Sequence, residues 1–191
     1  MAQEDETDGY LTGQILIAMP GMSDTRFQRS VVYICAHNEE GAMGLVVNKL
    51  IDSLTFDELL QQLDIENPKP GQKIDVHFGG PVEAGRGFVL HSAEYQQDST
   101  LQVDERIAMT ATLDILRDIA AGEGPKRHLF ALGYAGWGPG QLDSELQANG
   151  WLTADANETL VFSAELSDKW DGAIKALGID PSFLVIDAGH A

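Results

Sequence analysis

Ser30-Val31-Val32-Tyr33-Ile34-Cys35-Ala36 is the stretch that decides the fold class of this chain. Every position from Val31 to Cys35 is apolar, so an extended segment here has no polar face. A short unbroken apolar run rich in β-branched residues marks a strand covered on both sides, whereas alternation marks a half-buried one. The stretch therefore reads as a central strand. Upstream, Ile15 to Met19 is a strand closed by Pro20-Gly21, and downstream Leu45 to Val47 belongs to a third. Asn38-Glu39-Glu40-Gly41 between the last two reads as a four-residue hairpin loop, with Gly41 at a positive φ.

Further outward, helices are inserted among strands. Thr55-Phe56-Asp57-Glu58 has the spacing of a capping box, in which threonine hydroxyl and glutamate carboxylate satisfy free amides at a helix start. Phe56, Leu59, Leu60 and Leu63 then form one apolar stripe, stopped by Asn67-Pro68-Lys69-Pro70-Gly71. Strands are expected over Ile74 to Phe78 and Gly87 to His91, joined by Gly79-Gly80-Pro81, with an exposed excursion from Tyr95 to Asp104. A short strand over Arg106 to Met109 leads to a helix over Thr112 to Ala121, ended by Gly122. Leu129 to Tyr134 is apolar and extended. It runs into Gly136-Trp137-Gly138-Pro139-Gly140, where a helix begins with proline near its first position. Trp151-Leu152 and Thr159 to Phe162 read as short strands. Ser167 caps a last helix whose Trp170, Ile174 and Leu177 share a face, and Phe183 to Ile186 is extended. Clustered strands with inserted helices give an α+β fold with a mixed sheet rather than a regular βαβ alternation. Residues 1 to 10 read as an acidic, disordered tail, and 11 to 191 as a single domain with no repeat and no linker.

Charge and composition exclude several functions. The chain has 191 residues, 43% of them hydrophobic, the profile of an ordinary globular protein. Its net charge is -18, from 12 basic and 30 acidic side chains. Such a surface repels phosphate backbones, so direct nucleic-acid contact is not expected. No apolar run approaches the ~20 residues that span a bilayer, so no membrane association is expected. One cysteine, Cys35, excludes an internal disulfide framework and fits a reducing, cytoplasmic compartment.

Three blocks of sequence carry a resemblance. The first is Leu11-Thr12-Gly13-Gln14-Ile15-Leu16-Ile17-Ala18-Met19-Pro20, continued by Met22, Asp24, Phe27 and Arg29-Ser30-Val31, then Gly41-Ala42-Met43-Gly44-Leu45-Val46-Val47-Asn48-Lys49. The second is Phe78-Gly79-Gly80-Pro81-Val82 with Gly87-Phe88-Val89-Leu90-His91-Ser92. The third runs from Ala131 through Gly133-Tyr134-Ala135-Gly136-Trp137-Gly138-Pro139-Gly140 to Trp151-Leu152. In order and spacing these resemble the YqgE/AlgH family of bacterial proteins over nearly the whole chain. Thr25 and Leu50 stand where family members often carry proline. The resemblance implies a mixed α/β arrangement whose sheet forms a partly closed pseudo-barrel with peripheral helices. It also implies a regulatory, transcription-related role attached to some members by name, and it supplies no catalytic residues.

The glycine-rich segment 133 to 140 reads either as a strand-to-helix turn offering amides to an anion or as a tight crossover. It lacks the lysine and Ser/Thr of a P-loop and does not match GxGxxG. Gly79-Gly80-Pro81 to Arg86 is a second glycine-rich turn containing a cation. Should the two segments meet, Gly80, Arg86, Tyr134, Gly136, Trp137 and Gly138 would line a pocket for an acidic or aromatic ligand. The plainer alternative pairs Arg86 with Glu83 or another surface acid. Cys35 and His37 share a strand face but sit too far apart for a hydrogen bond, and a buried structural cysteine is the better reading. His77, His91 and His128 lack metal-ligand spacing, Ser30 and Ser92 lack a hydrolase elbow, and no cofactor or metal is expected. Met19 and Met22 flank Pro20-Gly21 in a turn that serves either as an adaptable partner contact or as a plug of the core. The functional expectation is a regulatory protein acting through a protein partner or small ligand. The alternative is a small-molecule binder or enzyme using the loops around Arg86 and Trp137.

Overall fold

The computed structural model describes residues 10–163 and 165–180. Strand β1 (Gln14–Ala18) leads through a 3-10 turn at Thr25–Phe27 to β2 (Val31–Asn38) and β3 (Gly41–Val46). Helix α1 (Phe56–Gln62) precedes β4 (Val76–Phe78), β5 (Val82–Ser92), β6 (Leu101–Gln102) and β7 (Ile107–Thr110). Helix α2 (Leu113–Ala121), β8 (His128–Trp137), α3 (Gln141–Gln147) and β9 (Trp151–Asp155) follow, and α4 (Glu158–Phe162) and α5 (Leu166–Ala176) end the described chain.

The strands form one sheet in the order β6-β7-β5-β8-β3-β2-β1-β9. Every pairing along it is antiparallel. Strand β4 lies off this path, parallel to β8 through Val76↔Phe130 to Phe78↔Leu132. Strand β8 is the joint of the sheet. Its N-terminal part lies between β4 and β5, and its last residues, Ala135 to Trp137, pair with β3. The sheet curls into a half-barrel, as the pseudo-barrel expectation requires.

Burial explains the curl. Along β1, Ile15 and Ile17 face an inner core, and Leu16 and Ala18 an outer one. Along β2, Val31, Tyr33 and Cys35 point inward while Val32 and Ile34 point outward, so this strand is covered on both faces as its sequence demands. The inner core draws on β1, β2, β3, β5, β7 and β8 and is closed by Trp170, Ala173 and Ile174 of α5. The two outer cores each serve one half of the sheet. Helices α1 and α2 cover Val89, Phe130 and Leu132, while Leu142 of α3 joins Trp137 and Trp151 over the other half.

The capping box is present: Thr55 Oγ1 accepts from the Glu58 amide at 3.1 Å, and Glu58 Oε2 accepts from the Thr55 amide at 3.1 Å. Several expectations need correction. The hairpin between β2 and β3 turns on Glu39-Glu40 alone, because Asn38 and Gly41 are already paired and the Asn38 side chain accepts from the Glu40 amide at 2.8 Å. Leu63 is 38% exposed, and Ile65 takes its place in the core. The Tyr95 to Asp104 excursion contains β6. Segment 158–162 is helical, not extended: Asn157 caps it by accepting from the Leu160 amide at 2.7 Å, and only Val161 is buried. Local capping thus overrides the β propensity of Thr159 to Phe162. Helix α5 begins at Leu166 with Glu165 at its N-cap, which places Ser167 inside the first turn, and Leu177 is exposed. Residues 1–9 and Phe183 to Ile186 lie outside the described residues.

Candidate functional site

The glycine-rich segment around Gly136 is strand, not turn. Strand β8 continues to Trp137, and Gly140, not Pro139, occupies the N-cap of α3. The cause is a crossing of two backbones. Gly133 sits at φ 73°, and a Cβ there would run into the carbonyl oxygen of Gly80. A Cβ on Gly80 would in turn meet the carbonyl of Tyr134. Only glycine at both points allows β5 to enter the sheet directly beside β8.

Immediately after this crossing β5 loses register. Val82 pairs with Tyr134 and Gly87 with Leu132, so four residues, 83 to 86, bulge out opposite the single residue Gly133. Glu83 within the bulge has φ 47°, a left-handed conformation uncommon for a side-chain-bearing residue. Arg86 leaves the bulge with its guanidinium 5.2 Å from the Phe88 ring centroid and 3.5 Å from Glu83. Phe88 meets the Tyr134 ring edge-to-face at 5.7 Å.

These residues wall an open cleft of about 700 Å³ between the β2–β3 hairpin, the β5 bulge and β6–β7. Arg86, Tyr134, Gly136 and Trp137 all border it, so four of the six residues named from sequence come together. The other two do not. Gly80 is spent on the backbone crossing, and the Gly138 amide donates to the Gln141 side chain at 2.9 Å. The Trp137 indole belongs to the outer core: it packs edge-to-face on Trp151 at 6.1 Å and donates through Nε1 to Glu145 at 2.5 Å. The aromatic wall is therefore Phe88 with Tyr134, and Met43 and Met109 add adaptable apolar surface. Sequence reading missed Phe88, Met43, Met109, Asn38 and Glu40, which lie on separate elements and share no spacing signal.

The cysteine and the histidines considered from sequence lie outside the lining of the cleft. Among the described residues no group of three His, Cys, Asp or Glu could hold a metal ion. Cys35 is buried, and burial pushes its thiol up to about 12, so it is no nucleophile at neutral pH. His37 is engaged elsewhere, its Nδ1 accepting from the Leu11 amide at 3.0 Å. His77 is held neutral, at about 4, mainly by burial, and its Nδ1 lies 3.0 Å from the Phe130 carbonyl. His91 bridges the Ser92 carbonyl and the Thr110 hydroxyl at 2.9 and 2.7 Å. The cleft presents an apolar wall, the Arg86 guanidinium, the carboxylates of Glu40 and Glu83, and a few hydroxyl and amide groups.

Met19 and Met22 are half-buried and line a second cleft, of about 460 Å³, with Trp151 and Glu145. Met22 also packs on the outer core, so the turn is part plug and part surface.

Fold and cleft together define a curled-sheet α+β protein with an open cleft where its joining strand ends. The profile of the AlgH-like family, DUF179, matches residues 15–182, and the chain belongs to that family. It is similar to a UPF0301 protein of Rhodospirillum rubrum, 54% identical over 184 residues and 96% of each chain. A UPF0301 protein of a Jannaschia species is 54% identical over 193 residues, covering 100% of both. Among solved structures, the AlgH protein of Pseudomonas aeruginosa superposes with a TM-score of 0.80 at 44% identity over 100% of both chains. A Corynebacterium diphtheriae protein shares the fold with a TM-score of 0.73 at 21% identity over 91% of each.

Proposed function

We propose that this protein is a cytoplasmic regulatory protein that binds a small acidic or aromatic molecule in the cleft beside Arg86. The observation that carries the reading is the convergence of two glycine-rich segments, some fifty residues apart in sequence, on one cleft of about 700 Å³. That volume lies in the range of pockets that bury a drug-sized molecule, roughly 300–1,000 Å³. A cation stacked on an aromatic wall at its rim supplies orientation. The net charge of -18 argues against direct contact with a nucleic-acid backbone, so a transcription-related role would run through ligand or partner.

The test is thermal melting of the purified chain against a panel of carboxylates, nucleotides, acidic sugars, flavins and divalent metals. A ligand at ~100 times its dissociation constant stabilises by about 2.7 kcal/mol, or roughly 5 to 11 °C for a domain of this size. A saturable shift that disappears in Arg86→Ala supports the reading. No shift across the panel moves the proposal to a protein partner at the Met19 and Met22 turn.

A further inference from the structure

Resting on the cleft as a ligand site, we infer that Arg86 anchors the carboxylate of an amphipathic monoacid, and that Glu83 is the internal carboxylate holding the guanidinium until that ligand displaces it. Arg86 is a cation on the cleft wall, and the Phe88 ring 5.2 Å from its guanidinium limits the side from which a carboxylate can meet it. Its present partner is a poor one. Glu83 stands 3.5 Å away, beyond hydrogen-bond distance, and both side chains are about half exposed at 56% and 52%. Glu83 itself has a left-handed backbone at φ 47° within an unpaired bulge. A weak ion pair on a strained, exposed bulge is easily exchanged for a bidentate one.

The rest of the cleft specifies the remainder of the ligand. Tyr134 borders the same space, its ring edge-to-face with Phe88 at 5.7 Å. Phe88, Met43 and Met109 offer apolar and thioether surface suited to an aromatic or aliphatic body. Glu40 and Glu83 at the rim repel a second negative charge, as does the net charge of -18, so a monocarboxylate suits the site better than a phosphate dianion.

The experiment titrates 4-phenylbutyrate and its uncharged primary amide into the full chain, following the methyl resonances of Met43 and Met109 and the heat released. The acid is expected to bind about tenfold or more tightly than the amide, the difference a charge-assisted contact makes. Arg86→Gln should erase that preference. Glu83→Gln should tighten the acid roughly two- to fivefold, since it removes an exposed competing carboxylate. Equal binding of acid and amide at those methyls, or a preference that survives Arg86→Gln, overturns the assignment of Arg86 while leaving the cleft reading standing. Weaker or unchanged acid binding in Glu83→Gln overturns the displacement. Methyl resonances that move with neither compound overturn the monoacid inference, while the ligand panel decides the cleft reading.

Discussion

Lys169 is a cation built into the core. It is 2% exposed on α5, and its Nζ donates to the carbonyls of Val47 at 2.8 Å and Val161 at 2.7 Å, with no carboxylate within ion-pair distance among the described residues. Burial lowers it from the ordinary lysine value to about 8. Between about 8 and the model-peptide value of about 10.4 the unfolded chain therefore holds a proton that the folded chain has released, so folding stability rises with pH over that window. The rise contributed by this one group should approach 1.4 kcal/mol per pH unit, about the value for a single proton. Chemical denaturation of wild type and Lys169→Met from pH 7 to 10.5 isolates it: the difference between the two curves should carry that slope, and parallel curves would refute it. The sequence signal was faint. Lys169 stands one turn before Ala173 on the helix stripe that also presents Trp170, and lysines there ordinarily snorkel outward.

At the scale of elements, the crossing of β5 over β8 depends on which glycines face backbone and which face space. Gly133→Ala combines a left-handed φ with a clash against the Gly80 carbonyl oxygen and should cost at least about 2 kcal/mol in denaturant unfolding. Gly136→Ala meets nothing closer than the Tyr134 ring at 3.3 Å and should cost less than about 1 kcal/mol while placing a methyl in the cleft. Comparable losses for the two would show that the crossing is not what fixes the fold. The sequence marked both glycines equally, since a glycine's role depends on what packs against the missing Cβ. Helix α1 was the opposite case. Its cap and stripe are local in sequence, and the cap, Phe56, Leu59 and Leu60 appear where the spacing put them. The helix ends at Gln62, ahead of the Asn67 to Gly71 stop and before Leu63 can join the stripe. Segment 158–162 misled because its short apolar run fits either period, and an asparagine cap decided it.

The whole molecule is an acidic body whose arginines are mostly paired. Arg26, Arg29, Arg86, Arg117 and Arg127 each pair with a carboxylate. Self-repulsion at a net charge of -18 should make the melting temperature rise as salt increases from about 0.01 to 0.15 M, where the screening length falls from about 30 to about 8 Å. In the same buffers no mobility shift of duplex DNA should survive ~150 mM salt, and a specific shift that did would contradict the ligand-or-partner reading. Among the described residues no helix is long and apolar enough to cross a membrane.

The sequence by itself determined the fold class, the doubly covered strand β2, the α1 cap and the glycine stop after α2, because periodicity, caps and turn residues act over a few positions. It also placed Arg86, Tyr134 and the two glycine-rich segments as candidates for one site. Only the tertiary structure decided that those segments touch, that the Trp137 indole faces the outer core while Phe88 lines the cleft, and that Lys169 lies inside. Each of these follows from which strand neighbours which in the sheet, and pairing between distant segments leaves no periodic trace in the chain.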